Sequence, residues 1–323
     1  MKIAAAFLAS LVLAGLLVGS APTAVEGRLA GATTFRVCGA AGPYWPSQTL
    51  ALDGDSAWVA CKEQSRVIRL DTRAGKVRAS VRLPSFVTAV AFGYRSLWAL
   101  SGSTLVRIRP TTANVTARIP LPTSAPYNIW IGGGSVWVVD DAAGRLLRVS
   151  PATNKLVAQP SVGDGAADMV FSGPSAWAIN HRDRGLVRVD LATNAVTRVA
   201  TIPGDAPERM ALLAGSLWIT GRGTDLLRVD LATGAVRSTV EIGVSGIDVV
   251  ASANALWVPT RSAAVDPTGF PTMLALRRVA TDTGTVTTRV TSVGRVDVHG
   301  LQYRAGRVWL ADNRTGTLFR LTG

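Results

Sequence analysis

Short runs in which apolar residues alternate with polar or small ones recur along almost the whole chain. In residues 215–240, GSLWITGRGTDLLRVDLATGAVRSTV, the pieces SLWIT, DLLRVD and AVRSTV each show the period of a half-buried strand. Turn chemistry separates them at residues 221–224 and 232–234. The unit predicts three short antiparallel strands, and it repeats. Trp58, Trp98, Trp137, Trp177, Trp218, Trp257 and Trp309 share one phase of it, at intervals of 40, 39, 40, 41, 39 and 52 residues. A period of about 40 residues with no helical pattern between the strands is that of four-stranded propeller blades.

The fold class is therefore all-β, a seven-bladed β-propeller. With strands A to D named from the channel outwards, blade 2 has A at 88–92, B at 96–100, C at 105–108 and D at 115–119. The one long interval comes from residues 261–273, RSAAVDPTGFPTM, whose prolines and glycine predict an extended surface loop. After Trp309 only strand C follows, so the last blade lacks its strand D. Residues 34–37 carry that pattern ahead of the first strand A, near 48–52. If they pair with 318–321, an N-terminal strand completes the last blade and two exposed edges disappear.

The N-terminus has a different character. Lys2, an uncharged apolar run over 3–18, and small residues 19–21 before Pro22 follow the order of a secretory signal peptide. The expected organisation is a signal peptide at 1–21, a short linker at 22–33 and a single propeller domain at 34–323. The run is short for a bilayer span of roughly 20 residues, so no stable membrane span is expected after cleavage. The expected location is extracytoplasmic and bacterial: periplasm, cell envelope or medium. Cys38 and Cys61, the only cysteines, fall on a D-to-A and a B-to-C connection, which share a face of a propeller. In an oxidising compartment they are expected to form a disulfide; two buried thiols are the alternative.

Charge changes this picture little. The chain carries 34 Lys plus Arg against 21 Asp plus Glu, a net charge of +13. Most of the basic residues are single arginines along strands, without a basic run or an interleaved aromatic platform, so nucleic acid is not an expected partner. Arg69, Arg109, Arg148, Arg188 and Arg320 each follow a repeated tryptophan by eleven residues, and Arg228 follows by ten. They are read as charge dispersed around the circumference, and the tryptophans as inter-blade packing.

Candidate chemistry lies where the repeat breaks. Ten and nine residues before each tryptophan stand Gln48 and Thr49, Thr88 and Ala89, Tyr127 and Asn128, Ala167 and Asp168, Glu208 and Arg209, Ile247 and Asp248, and His299 and Gly300. These positions begin the strands A and should ring the channel mouth. The B-to-C loops add Asp140, Asp141, Asn180, His181, Arg182, Asp183, Arg222, Asp312 and Asn313 to the same face. From this set Tyr127, Asn128, Asp168, Glu208, Arg209, Asp248, Asp297 and His299 are the candidate ligand contacts. The acids with His299 are donor types that suit a divalent cation; paired with Arg209 or Arg182 they simply line a wet channel. No metal site is assigned. His299 reads either as a base oriented by Asp297 or as a solvated loop residue. The chain contains no Gly-rich phosphate loop, HExxH, CxxC or GxSxG.

The repeats GSVWVVDDAAGRLLRVSPATNKLV and GSLWITGRGTDLLRVDLATGAV resemble those of YVTN-type and streptogramin B lyase (virginiamycin B lyase)-like β-propellers over most of the chain from about residue 34. The resemblance implies seven blades. Such lyases use channel-mouth histidines and acids with Mg²⁺ to open the ester of a cyclic depsipeptide by elimination. Asp297-Val298-His299 stands where such an enzyme has a Glu-x-His pair, which would make His299 the catalytic base. Ile247 occupies the equivalent strand-A position one blade earlier, where a second histidine would be sought. The sequence thus points to an exported, monomeric, non-catalytic propeller that binds a small molecule or cell-envelope protein on its loop-rich channel face. The alternative is a Mg²⁺-dependent lyase of the streptogramin type.

Overall fold

The structure is a computed structural model and describes residues 28–39, 48–124, 126–265, 271–293 and 296–323. The expected signal peptide, 1–21, lies outside the described residues. No helix occurs among those described; the alternating runs all form strands. The innermost strands A are Leu50–Asp53, Val87–Gly93, Pro126–Gly132, Ala166–Ser172, Pro207–Leu213, Val250–Ala251 and Val298–Arg304. Next to them the strands B, Ser56–Cys61, Ser96–Ser101, Ser135–Asp140, Ser175–Asn180, Ser216–Gly221, Ala255–Val265 and Arg307–Asp312, carry the repeated tryptophans. Strands C and D follow outwards, giving seven antiparallel sheets. The chain is a seven-bladed β-propeller.

The hydrophobic core is divided into wedges between neighbouring blades. Trp58 of blade 1 packs with Val87, Val90 and Leu97 of blade 2, Trp98 with Ile129 and Val136 of blade 3, and so on round the ring to Trp309, which meets Leu50 and Val59 of blade 1. Each tryptophan thus faces the following blade. Gly132 permits one such approach: a Cβ there would stand 2.3 Å from the ring of Phe171 in the next blade.

The arginines do more than spread charge. Antiparallel register places one opposite every repeated tryptophan: Arg69, Arg107, Arg148, Arg188, Arg228, Arg278 and Arg320. In blade 2 the residue is Arg107, not the expected Arg109, because the B-to-C turn there is only residues 102–103. The guanidiniums of Arg107 and Arg148 lie 5.0 Å from the ring centres of Trp98 and Trp137. Each donates from Nε to the serine that opens its strand B, at 2.8 Å. Each also reaches into the next blade: Arg107 to the Pro151 carbonyl at 2.7 Å and Asn154 Oδ1 at 3.0 Å, Arg148 to the Leu191 carbonyl at 2.7 Å and Asn194 Oδ1 at 2.8 Å. Arg69 and Arg320 make the same carbonyl contact with Pro110 and Thr72. The arginines therefore tie blade to blade.

The ring closes through the N-terminal segment. Thr33–Arg36 pairs with the last strand, Thr34 opposite Phe319 and Phe35 opposite Leu318, and serves as strand D of blade 7. Within the segment read as linker, Arg28–Leu29 pairs with Val293 and Ser292 as a fifth strand of blade 6, and Leu29 is buried in the wedge between blades 6 and 7. Cys38 and Cys61 form a disulfide, with Cα atoms 5.5 Å apart, that joins the end of the closing strand to blade 1. The insertion at 261–273 is not a loop throughout. It lengthens strands B and C of blade 6 into a hairpin, with Arg261 opposite Met273 and Val265 opposite Pro271.

Two stability changes should follow. Arg148→Met removes charged hydrogen bonds within and between blades and should lower the unfolding free energy by about 2–3 kcal/mol, read from urea denaturation. Cys61→Ser should lower it by about 2–4 kcal/mol relative to the oxidised protein, a difference that vanishes when both are compared under reducing conditions.

Candidate functional site

Strand A is irregular where the repeat breaks. Pairing with strand B slips between Val87 and Ala89, Pro126 and Ile129, Ala166 and Asp168, Pro207 and Arg209, and Val298 and Leu301. Each slip falls at the positions nine and ten residues before the tryptophan. A bulge sets two residues against one and re-aims their side chains, so these positions leave the blade faces. Round the channel the inner ring reads Thr49, Ala89, Asn128, Asp168, Arg209, Asp248 and Gly300. One half is small; the other is polar or charged.

Along the polar half lies a cavity of about 290 Å³, whose walls include Asn128, Trp130, Asp168, Arg209, Asp248 and Gln302. Four of the expected contacts thus meet in one place. Asp168 is almost fully buried and saturated with donors: Trp130 Nε1 at 2.8 Å and Met169 N at 2.7 Å on Oδ1, and Met210 N of the next blade at 2.6 Å on Oδ2. Asp248 repeats only the local part, with Oδ1 accepting from Val249 N at 2.8 Å. Arg209 stands between these acids in the ring and extends across the mouth, where Nη2 reaches Tyr127 Oη at 3.4 Å and Nη1 the Glu208 carbonyl at 2.9 Å. Tyr127 therefore belongs to the site through Arg209. Asn128 Oδ1 accepts from Gln48 N at 2.7 Å, while its buried Nδ2 has no partner.

Burial pushes the Asp168 carboxyl up to about 6, against the pull of Arg209 and the three N–H donors. It pushes Asp248, with one such donor, up to about 7, again against Arg209 and aided by the neighbouring Asp168. Burial opposes the charge on Arg209 too, but Tyr127, Asp248 and Asp168 outweigh it and raise its pKa above the ordinary value. The cavity thus holds one fixed cation and two carboxyls that change charge near neutrality, Asp248 last.

Other expected contacts lie elsewhere. Glu208 points away into an ion pair with Arg222 at 3.2 Å and another with Arg261 of the blade 6 hairpin. Asp297 is buried beside Asp312, whose Oδ1 accepts the Asp297 N–H at 3.2 Å. His299 is on strand A of blade 7, and its side chain lies outside the described residues. Arg182 is engaged by Asp164 and Asp141. Among the described residues no group of three or more His, Cys, Asp or Glu could hold a metal ion. Trp130, Gln302 and Tyr303 were not among the expected contacts. Their signal was available: Trp130 is a tryptophan outside the repeat phase, two residues beyond Asn128 and hence on the same side of the strand.

Fold and site together define a seven-bladed propeller with an aspartate–arginine–aspartate cavity in its channel. No family model matches the chain, and no curated protein matches it by sequence. Among solved structures it is similar to virginiamycin B lyase from Staphylococcus aureus, with a TM-score of 0.73 and 15% identity over 92% of this chain and 100% of that one. A catalytically inactive form of that lyase with quinupristin gives 0.72 and 14% over 92% and 99%. BamB from Moraxella catarrhalis gives 0.62 and 13% over 86% and 85%. At these identities the likeness is one of fold.

The raised acids fix a sign for pH dependence. Their folded pKa values, about 6 and about 7, exceed the ordinary 3.8, so the folded state holds these protons more tightly and the two groups make stability fall as pH rises through that window. Asp248→Asn removes the upper part of that fall. Its melting temperature relative to the natural protein should rise progressively from pH 5 to pH 8, as followed by circular dichroism. A constant difference would contradict the assignment.

Proposed function

We propose that this chain is an exported, monomeric propeller that binds a small polar ligand in its channel cavity and performs no chemistry on it. The observation that carries this reading is the pair Arg209 and Asp248 on the cavity wall: the guanidinium keeps N–H groups beyond its bonds to the Glu208 carbonyl and Tyr127 Oη, and the Asp248 carboxylate accepts from Val249 N through one oxygen alone among the described residues. Polar groups held in a partly buried cavity with bonding capacity to spare are what a polar ligand would satisfy. The cavity volume, about 290 Å³, falls at the small end of the roughly 300–1,000 Å³ range of ligand pockets. The n-, h- and c-region pattern of residues 1–21 and the disulfide support an oxidising, extracytoplasmic setting.

The likeness to virginiamycin B lyase favours a second reading, a Mg²⁺-dependent lyase with His299 as base, and one experiment separates the two. Purified protein is screened by thermal shift against small polar metabolites, and in parallel incubated with quinupristin and Mg²⁺ under mass spectrometry. The binding reading expects stabilisation of the natural protein by at least one small molecule, abolished in Arg209→Ala, with quinupristin unchanged. A linearised quinupristin product would establish the lyase instead. A screen in which nothing stabilises the protein would remove the ligand-binding reading.

A further inference from the structure

The one cation and two carboxyls of the cavity are not joined in an ion pair. Arg209 has five N–H donors; its two hydrogen bonds go to the Glu208 carbonyl and the Tyr127 hydroxyl. No carboxylate oxygen among the described residues comes within ion-pair distance of it, although Asp168 and Asp248 both lie close enough to influence its charge. Asp248 uses one oxygen for Val249 N and leaves the other unbonded among the described residues. Asp168 differs, because its three donors fix both of its oxygens. The cavity therefore offers an unsaturated guanidinium and an unsaturated carboxylate that face a common space without touching.

Donors and acceptors are also segregated. Arg209 extends to Tyr127 of blade 3, so its spare N–H groups supply the donors there. Asp248, in blade 6, supplies the acceptor. Trp130, Met169, Met210 and Tyr303 give the walls an apolar component. A ligand that fits has an anionic end, a cationic end and a short apolar substituent, all within about 290 Å³.

We propose that the channel cavity binds a free α-amino acid as its zwitterion, the carboxylate held by Arg209 and the ammonium by Asp248. The inference rests on the cavity being a ligand site and names the class of ligand. Asp168 acts as a positioning residue, since its donors hold the strand starts of blades 4 and 5 on either side of the site. A molecule carrying one charge would leave either Arg209 or Asp248 without a counter-charge in a poorly solvated space, and that penalty is what selects for both charges.

Isothermal titration calorimetry on the purified full chain tests this with L-alanine, L-valine and L-methionine as probes, against N-acetyl-L-valine, which lacks the ammonium, and L-valinamide, which lacks the carboxylate. At least one amino acid should bind, and removing either charge from it should weaken binding at least about tenfold. Asp248→Asn should weaken the amino acid by a similar factor while leaving the N-acetyl compound unchanged, and Arg209→Lys should weaken the amino acid more than the amide. Circular dichroism melts establish that each variant is folded; if Arg209→Lys is not, Asp248→Asn decides alone. Equal binding of the blocked compounds, or an Asp248→Asn protein with unaltered selectivity, would overturn the assignment. If no amino acid binds but another small molecule stabilises the protein in an Arg209-dependent way, the zwitterion is wrong and the cavity reading survives. If nothing binds, both fall.

Discussion

Everything in this molecule depends on one contact repeated round a ring: a strand-B tryptophan that packs on the next blade, crossed by a strand-C arginine. The tryptophan contributes buried area. The arginine covers the indole face and then reaches a backbone carbonyl of the next blade in blades 1, 2, 3 and 7. The indole N–H groups of Trp58, Trp218 and Trp257 find no hydrogen-bond partner among the described residues, so packing, with Arg69 over Trp58, Arg228 over Trp218 and Tyr303 stacked on Trp257, fixes these rings. A long, planar, permanently charged side chain suits that role, since one edge can bond within its own blade while another bonds across the gap.

A ring built from such contacts must solve its last junction. Blade 7 meets blade 1 through the same tryptophan and arginine as elsewhere, Trp309 and Arg320, but here the strand D that leads into the next blade comes from the other end of the chain and is not continuous with strand C. Three further devices act at that junction or beside it. The closing strand Thr33–Arg36 completes blade 7, the Cys38–Cys61 disulfide links it to blade 1, and Arg28–Leu29 carries the same segment back onto blade 6. The N-terminal segment thus spans two blades and is bonded to a third. Opening the ring would require breaking sheet pairing, a covalent bond and two packed wedges together.

Much of this was legible in the sequence because it is repeated. Tryptophan spacing is a property of the scaffold, and a strand missing at one end with a spare at the other implies the closure. The arginine positions were read less well: a fixed count of eleven from the tryptophan selects Arg109, whereas the register obeys turn length and selects Arg107. The site was partly legible for the opposite reason. Asn128, Asp168, Arg209 and Asp248 stand out because they break the repeat, and the bulges bring them to one cavity. Counting cannot tell which way a bulged side chain turns, so Glu208, beside Arg209 in the chain, goes to Arg222 and Arg261 instead. The hairpin at 261–273 was misread because its prolines and glycine mask the strand pairing on either side.

Division of labour follows from where these forces act. The tryptophan and arginine contacts that hold blades together start from strands B and C, and of the inner ring Ala89 belongs to a core wedge. The other residues of that ring differ from blade to blade, and its charged members border the cavity. Asp168 is the exception that couples the two levels. Its Oδ2 accepts the Met210 N–H of the next blade, so the same carboxylate is an inter-blade bond and part of the field felt by Asp248. A cavity carboxylate anchored in this way cannot swing to neutralise Arg209, which is why the opposite charges remain apart and the space between them remains open.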